Sequence, residues 1–297
     1  MRPTLINGNA LDVVKTLDDN SIQSVVTSPP YWGLRDYGDS QQFGCEPTVE
    51  DYAANLVALF EEIKTKLRDD GTIWINIGDG YSGFSGNLGG ASGSDQNGKR
   101  NAGVVKRGAN LKKRDLIGVP WVAAFALREA GWYLRCDIVW HKPNPIPESV
   151  TNRPTRAHEF IFLLSKSEQY FYDMDAIREP LVAPPPNQFN SKGGRVIVGD
   201  LSKGKNARDV WSIPTASIRN SHIAVFPQEL PEKCILASTK PGDIVLDPFS
   251  GSGTTCRVAS RLNRKSIGIE LSEKFHKLAV KITLNDSTSL EDYGKKE

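Results

Sequence analysis

The run Ile244-Val245-Leu246-Asp247-Pro248-Phe249-Ser250-Gly251-Ser252-Gly253-Thr254-Thr255 constrains this chain more than any other stretch. It reads as a short buried strand that ends in an acid, followed by a Gly-x-Gly turn and a helical pattern over residues 254–262. Glycine permits positive φ and close approach of a ligand to the backbone. The first turn of the helix presents unpaired N–H groups. The next strand pattern, residues 266–270, ends in Glu270, where a carboxylate can accept bonds from both ribose hydroxyls of a nucleoside. The turn carries neither the Gly-Lys-Ser/Thr of a phosphate loop nor a full GxGxxG. A nucleoside cofactor without a bound pyrophosphate fits better, and S-adenosylmethionine is the obvious candidate. A bare Gly-x-Gly is as readily a packing device; Asp247 and Glu270 favour the ligand reading.

The rest of the chain alternates strand and helix patterns. Residues 24–27 begin an apolar strand that Pro29 and Pro30 stop. Residues 51–67 are helical in spacing, with Asp70-Gly71 as a helix stop, and residues 72–77 form a strand. A helix over 115–130 precedes strands at 132–140 and 159–164, and a helix over 229–238 precedes the glycine turn. A last helix is expected to about residue 282, with a polar, frayed tail after Asn285. Alternation of this kind predicts an α/β, doubly wound, mostly parallel sheet covered on both faces. Two segments break it. Residues 82–98 hold six glycines in seventeen residues and run into 99–114, which carries seven basic residues and no acid. Residues 181–208 are rich in Pro, Gly, Asn and Lys. Loops this long are usually functional or disordered.

A second motif, Thr27-Ser28-Pro29-Pro30-Tyr31-Trp32, closes the first clear strand. The prolines fix the directions of the Ser28 and Pro29 carbonyls, and an aromatic ring follows at once. This suits an exocyclic amine held by hydrogen bonds while its ring stacks on Tyr31. Such an amine is a poor nucleophile because its lone pair is delocalised into the heterocycle. Acceptors on its N–H groups free that lone pair to attack a sulfonium methyl held in line. A base in duplex DNA must flip out to reach the pocket.

These motifs, in this order, resemble the amino-group DNA methyltransferases, in the permuted (beta) class whose catalytic motif precedes the cofactor motif. The resemblance covers most of the chain. Residues 222–227, 71–81, 137–144 and 153–166 are similar to further family blocks, and Asn7-Gly8-Asn9-Ala10-Leu11 matches an N-terminal block with Asn9 in place of the usual acid. It implies a Rossmann-like class I methyltransferase fold of seven strands, one antiparallel, with residues 4–6 at the edge beside the strand ending in Glu270. It implies roles by position. Asn9, Ala10, Asp247, Pro248, Gly251, Gly253, Thr254 and Thr255 would hold S-adenosylmethionine, with Glu270 and Leu271 at its ribose and Phe226, Pro227 and Phe249 flanking it. Ser28, Pro29, Pro30 and Tyr31 would hold the target base. Residues 1–176 and 221–285 would form the catalytic domain, 82–114 a mobile loop, 177–220 a target-recognition insertion and 286–297 a polar tail.

Serine at the first motif position resembles the cytosine-N4 group, with adenine-N6 as the alternative. An RNA or small-amine methyltransferase, or a cofactor-binding protein without turnover, remain open. Cytosine-C5 chemistry needs a thiolate next to proline, and none of Cys45, Cys136, Cys234 and Cys256 follows one. These read as buried small apolar residues in a reducing cytoplasm. The four His carry no metal spacing, and His141 and His158, beside Lys142 and Glu159, read as structural polar contacts. The longest plainly apolar stretch, residues 119–127, is too short to span a membrane. The 37 Lys+Arg against 35 Asp+Glu leave only +2, yet seven positive charges fall within residues 99–114. Lys99, Arg100, Lys106, Arg107, Lys112, Lys113 and Arg114 are expected on DNA phosphates, where they position the duplex without reading it. Arg195, with Asn187, Gln188 and Asn190, is expected to reach base edges; Lys203, Lys205 and Arg208 could equally hold backbone. The partners implied are double-stranded DNA, a second copy in a homodimer and a cognate restriction endonuclease, in the cytoplasm of a bacterial or phage-infected cell.

Overall fold

A computed structural model of the chain describes residues 1–34, 41–82, 111–181, 204–217 and 224–293. The elements in order are β1 Thr4–Asn7, α1 Ala10–Lys15, β2 Ile22–Thr27, α2 Val49–Lys66, β3 Leu67–Ile77, α3 Val119–Glu129, β4 Tyr133–His141, β5 His158–Ser165, β6 Val210–Ser212, β7 Ala216–Ser217, β8 Ala224–Val225, α4 Glu229–Ser238, β9 Ile244–Asp247, α5 Thr254–Arg261, β10 Lys265–Glu270 and α6 Glu273–Tyr293. The main sheet runs β1-β10-β9-β2-β3-β5-β4-β6. Only β5 is antiparallel to its neighbours. β1 lies at the edge beside β10, with Asn7 opposite Glu270. Among the described residues no helix is long and apolar enough to cross a membrane.

Adjacent strand residues feed opposite faces. Val25, Ile73, Ile75 and Leu246 pack with α1, α2 and α3. Val26, Trp74 and Val245 pack with α4 and α5. A strand buried on both faces reads as a continuous apolar run, not an alternating one. All six residues of β2 are buried accordingly.

Four expectations change. The sheet has eight strands rather than seven, because the short β6 pairs parallel with β4 and buries Trp211 in the second core. That strand comes from within residues 177–220. Asp70-Gly71 does not stop a helix. α2 ends at Lys66 and the chain passes straight into β3, because Leu67 is wholly buried there. Residues between Leu67 and Thr72 form a bulge against β2, where Ile22 faces Leu67 and Ser24 faces Thr72. A Cβ on Gly71 would lie 2.5 Å from Leu67 Cγ, so glycine serves the bulge. α3 starts at Val119 rather than Asp115, with Pro120 in its first turn. α6 continues past Asn285 to Tyr293, since extending a helix costs little and no Gly or Pro interrupts it before Gly294.

Candidate active site

β2 and β9 are neighbours, yet from them the chain builds the sheet outward in opposite directions. Ligands bind outside the carboxyl ends of strands at such a switch point. Both sequence motifs end there. Thr27, the last residue of β2, donates its hydroxyl to Asp247 Oδ1 at 2.6 Å. The Phe249 N–H reaches the same oxygen at 3.2 Å. Asp247 is 4% exposed. Burial pushes its carboxyl up to about 6, against the pull of these donors.

The turn after β9 needs its glycines. Gly251 and Gly253 have φ of 52° and 77°, and Gly253 caps α5 in the left-handed conformation. Pro248, Ser250, Thr254 and Thr255 are buried beneath the turn. At the end of β10, Glu270 accepts the Gly251 N–H and the Ser272 N–H, each at 2.9 Å. Burial raises its carboxyl above the usual range. Two desolvated carboxylates on adjacent strand ends, with a helix N-terminus between them, are a donor-seeking set. They fit the cationic methionine end and the ribose hydroxyls of S-adenosylmethionine. Leu271 is half-buried, and its carbonyl accepts from Asn7 Nδ2 at 3.0 Å.

Asn9 takes a structural part. Its side-chain oxygen caps α1, accepting Leu11 N–H at 2.9 Å and Asp12 N–H at 3.4 Å. Ala10 is buried as the first residue of that helix. Phe226 is half-buried against the second core, and buried Pro227 leads into α4. Phe249 meets Phe43 edge to face at 5.1 Å, which carries the chain after the proline corner onto the glycine turn.

At the proline corner, Pro29 is buried, whereas Ser28, Pro30 and Tyr31 are half-buried. The Ser28 hydroxyl donates to the Tyr31 hydroxyl at 3.3 Å. Tyr31 donates in turn to Glu159 Oε2 at 2.7 Å. Burial first, and Glu159 second, hold the Tyr31 hydroxyl well above its ordinary pKa. The ring lies on Gly78, where a Cβ would come within 2.6 Å of Tyr31 Cε2. Asn76 donates to the same Glu159 oxygen at 2.9 Å, and Lys142 pairs with the other. Glu159, Asn76 and Phe43 are the residues that the sequence reading missed. The one available signal was an acid opening an otherwise apolar strand, His158-Glu159-Phe160-Ile161. His158 meets Phe160 edge to face, and His141 pairs with Ser212.

Of the basic residues, Lys99, Arg100, Lys106, Arg107 and Arg195 lie outside the described residues, as do Asn187, Gln188, Asn190 and Lys203. Lys112, Lys113 and Arg114 are exposed. They sit where Arg114 N–H bonds the Ser82 carbonyl at 2.7 Å and Ser82 N–H bonds the Asp115 carbonyl at 2.8 Å. Nearby, Arg153 and Arg156 face the Tyr81 ring at 4.0 and 5.3 Å. Lys205 pairs with Glu179, whereas Arg208 is exposed. Two of the four cysteines depart from the expected burial. Cys234 and Cys256 are buried, but Cys136 is half-buried and Cys45 exposed. Cys45 lies in the loop after the proline corner and accepts from Gln42 Nε2, and Cys136 sits on β4 near the sheet edge.

An eight-stranded, mostly parallel sheet with an acid-ended strand, a glycine turn and a second carboxylate at its switch point defines a class I methyltransferase. The family model described as DNA methylase, of the N6/N4 group, matches residues 22–281. The chain therefore belongs to the amino-group DNA methyltransferases, which use S-adenosylmethionine. It is 48% identical over 288 residues to the type II methyltransferase M.Cfr9I of Citrobacter freundii, covering 97% of this chain and 89% of that protein. Among solved structures, the PvuII DNA methyltransferase (cytosine-N4-specific) aligns with TM-score 0.65 and 20% identity, over 94% of this chain and 86% of that one. The DNA modification methylase TTHA0409 of Thermus thermophilus, complexed with S-adenosyl-L-methionine, aligns with TM-score 0.60 and 23% identity over 95% and 93%.

Proposed function

We propose that this chain transfers a methyl group from S-adenosylmethionine to the N4 amine of a cytosine flipped out of a specific duplex sequence. The observation that carries this reading is the proline corner. The Ser28 hydroxyl spends its own hydrogen on Tyr31, which leaves its lone pairs to accept from an amine. Pro29 and Pro30 fix the adjacent carbonyls as further acceptors. The cofactor supplies an electrophilic methyl on sulfur. Asp247 and Glu270 would fix its two ends, so that the methyl and the amine meet in line. The half-buried ring of Tyr31 would stack on the base. Serine at position 28 supports cytosine, and the PvuII enzyme, specific for cytosine N4, shares the fold. Lys112, Lys113 and Arg114 would hold phosphates, and residues 177–220 outside β6 would choose the sequence. The relatives are type II methyltransferases, so a cognate restriction endonuclease in the same cytoplasm is the expected partner. Labelled cofactor, mixed-sequence duplex DNA and mass spectrometry of the nucleosides test the reading. N4-methylcytosine is expected. N6-methyladenine would overturn the choice of base, and no labelled nucleoside would overturn the activity on DNA.

A further inference from the structure

Methyl transfer to an amine leaves a proton to be removed, and the site holds a path for it. The Ser28 hydroxyl donates to Tyr31 at 3.3 Å, and Tyr31 donates to Glu159 Oε2 at 2.7 Å. Both hydroxyl hydrogens therefore run in one direction, toward a single carboxylate. Glu159 side-chain exposure is only 14%, and Lys142, its ion-pair partner, is 19% exposed. Asn76 steadies the receiving oxygen at 2.9 Å and is itself fixed to the Phe160 carbonyl at 3.2 Å. Gly78 lies against both groups, with its Cβ position 2.6 Å from the Tyr31 ring and 3.3 Å from Glu159 Cδ. So Asn76 on β3, Glu159 on β5 and Lys142 just past β4 all act on the Tyr31 hydroxyl or on the carboxylate that receives its bond.

We propose that Glu159 is a positioning residue and the terminal proton acceptor of the methyl transfer, acting on the amine through Tyr31 and Ser28. The inference rests on the reading that Ser28 faces the target amine. The amine lone pair forms the N–C bond as the C–S pair returns to sulfur, and the nitrogen is left with a positive charge. One N–H proton passes to Ser28 Oγ as the Ser28 proton passes to Tyr31 and the Tyr31 proton passes to Glu159. Nitrogen becomes neutral, the carboxylate becomes a carboxyl, and nothing is oxidised or reduced. The proton then leaves to solvent past Lys142. Tyr31 never has to exist as a phenolate, in keeping with its strongly raised pKa. The 3.3 Å Ser28–Tyr31 bond is longer than usual for two hydroxyls. Catalytic hydrogen bonds commonly tighten only when substrate is bound.

The test uses full-length chain, a methylatable duplex, and single-turnover rates at saturating DNA and cofactor. Glu159→Gln keeps the shape and removes the acceptor; Tyr31→Phe keeps the ring and removes the relay hydroxyl. Each is expected to slow the single turnover at least about a hundredfold, the lower end of what general acid–base groups contribute. DNA and cofactor dissociation constants should stay within about threefold, and the double variant should be no slower than the slower single one. Unchanged rates, additive losses, or losses confined to binding would overturn the relay. If E159Q fails to fold, Tyr31→Phe decides alone. A wild type that methylates no base would overturn the functional reading itself; a wild type that methylates adenine would leave the relay standing.

Discussion

At the scale of single residues, the two halves of the site separate cleanly. Asp247 is a buried acid whose folded pKa, about 6, stands above its ordinary value of 3.8. The protonated form is favoured by folding, so stability is lost as pH rises from about 4 to about 6 and stays lower above. The shift corresponds to about 3 kcal/mol. Asp247→Asn keeps an oxygen for the Thr27 and Phe249 donors and removes the charge. Without cofactor, the Asn variant should gain on wild type in thermal stability between pH 4 and pH 7, while cofactor affinity drops at least about tenfold. Calorimetry across that pH range and equilibrium binding check the pair; parallel melting curves for both proteins would contradict the effect of burial on Asp247. Tyr31→Ala should do the reverse. It should weaken capture of the flipped base, read by the fluorescence of a base analogue at the target position, and leave cofactor binding nearly intact. Equal loss of cofactor affinity would contradict its role.

At the scale of elements, legibility tracks locality. The strand-acid-glycine-helix unit and the proline corner are contiguous, so the residues that build them are neighbours in sequence as in space. Glu159 reaches Tyr31 across 128 positions, and Asn76 reaches Glu159 across 83, through the pairing of β3 with antiparallel β5. Nothing local to either residue records that pairing. Gly71 shows the complementary failure, since glycine punctuates a bulge as readily as a helix end. α3 adds a third case. Its N-cap is Gly118, which has no side chain to offer, and Asp79 from the segment after β3 does the capping. Asp79 Oδ1 accepts the Gly118 N–H at 2.9 Å and the Val119 N–H at 3.0 Å, while Oδ2 lies 3.7 Å from Arg156. Asp79→Ala should therefore cost about 1–2 kcal/mol, the usual worth of a cap. It should raise amide exchange at the start of α3 and at residues 80–82 before it touches β9 or α5. Exchange that rises uniformly would show that the cap is not local.

At the scale of the whole molecule, near-neutrality conceals a polar arrangement. Outside residues 99–114 the chain carries 30 basic residues against 35 acidic ones. Lys112, Lys113 and Arg114 are held near the rim by the Ser82 backbone bonds, only five residues beyond the end of β3. That is the end of the sheet at which Thr27 and Asp247 meet. A duplex presenting a base to Ser28 would bring its backbone to this rim. Each phosphate neutralised releases condensed counterions, so the logarithm of affinity falls against the logarithm of salt with a slope near 0.9 per contact. Replacing all three residues by alanine should reduce that slope by up to about 2.7. Phosphate contacts carry no sequence information. The loss should therefore be of similar size on a methylatable duplex and on an unrelated one, measured by anisotropy from low to moderate salt. A loss confined to the methylatable duplex would move these residues from holding the backbone to reading the bases. An unchanged slope would place the electrostatic contact elsewhere on the molecule.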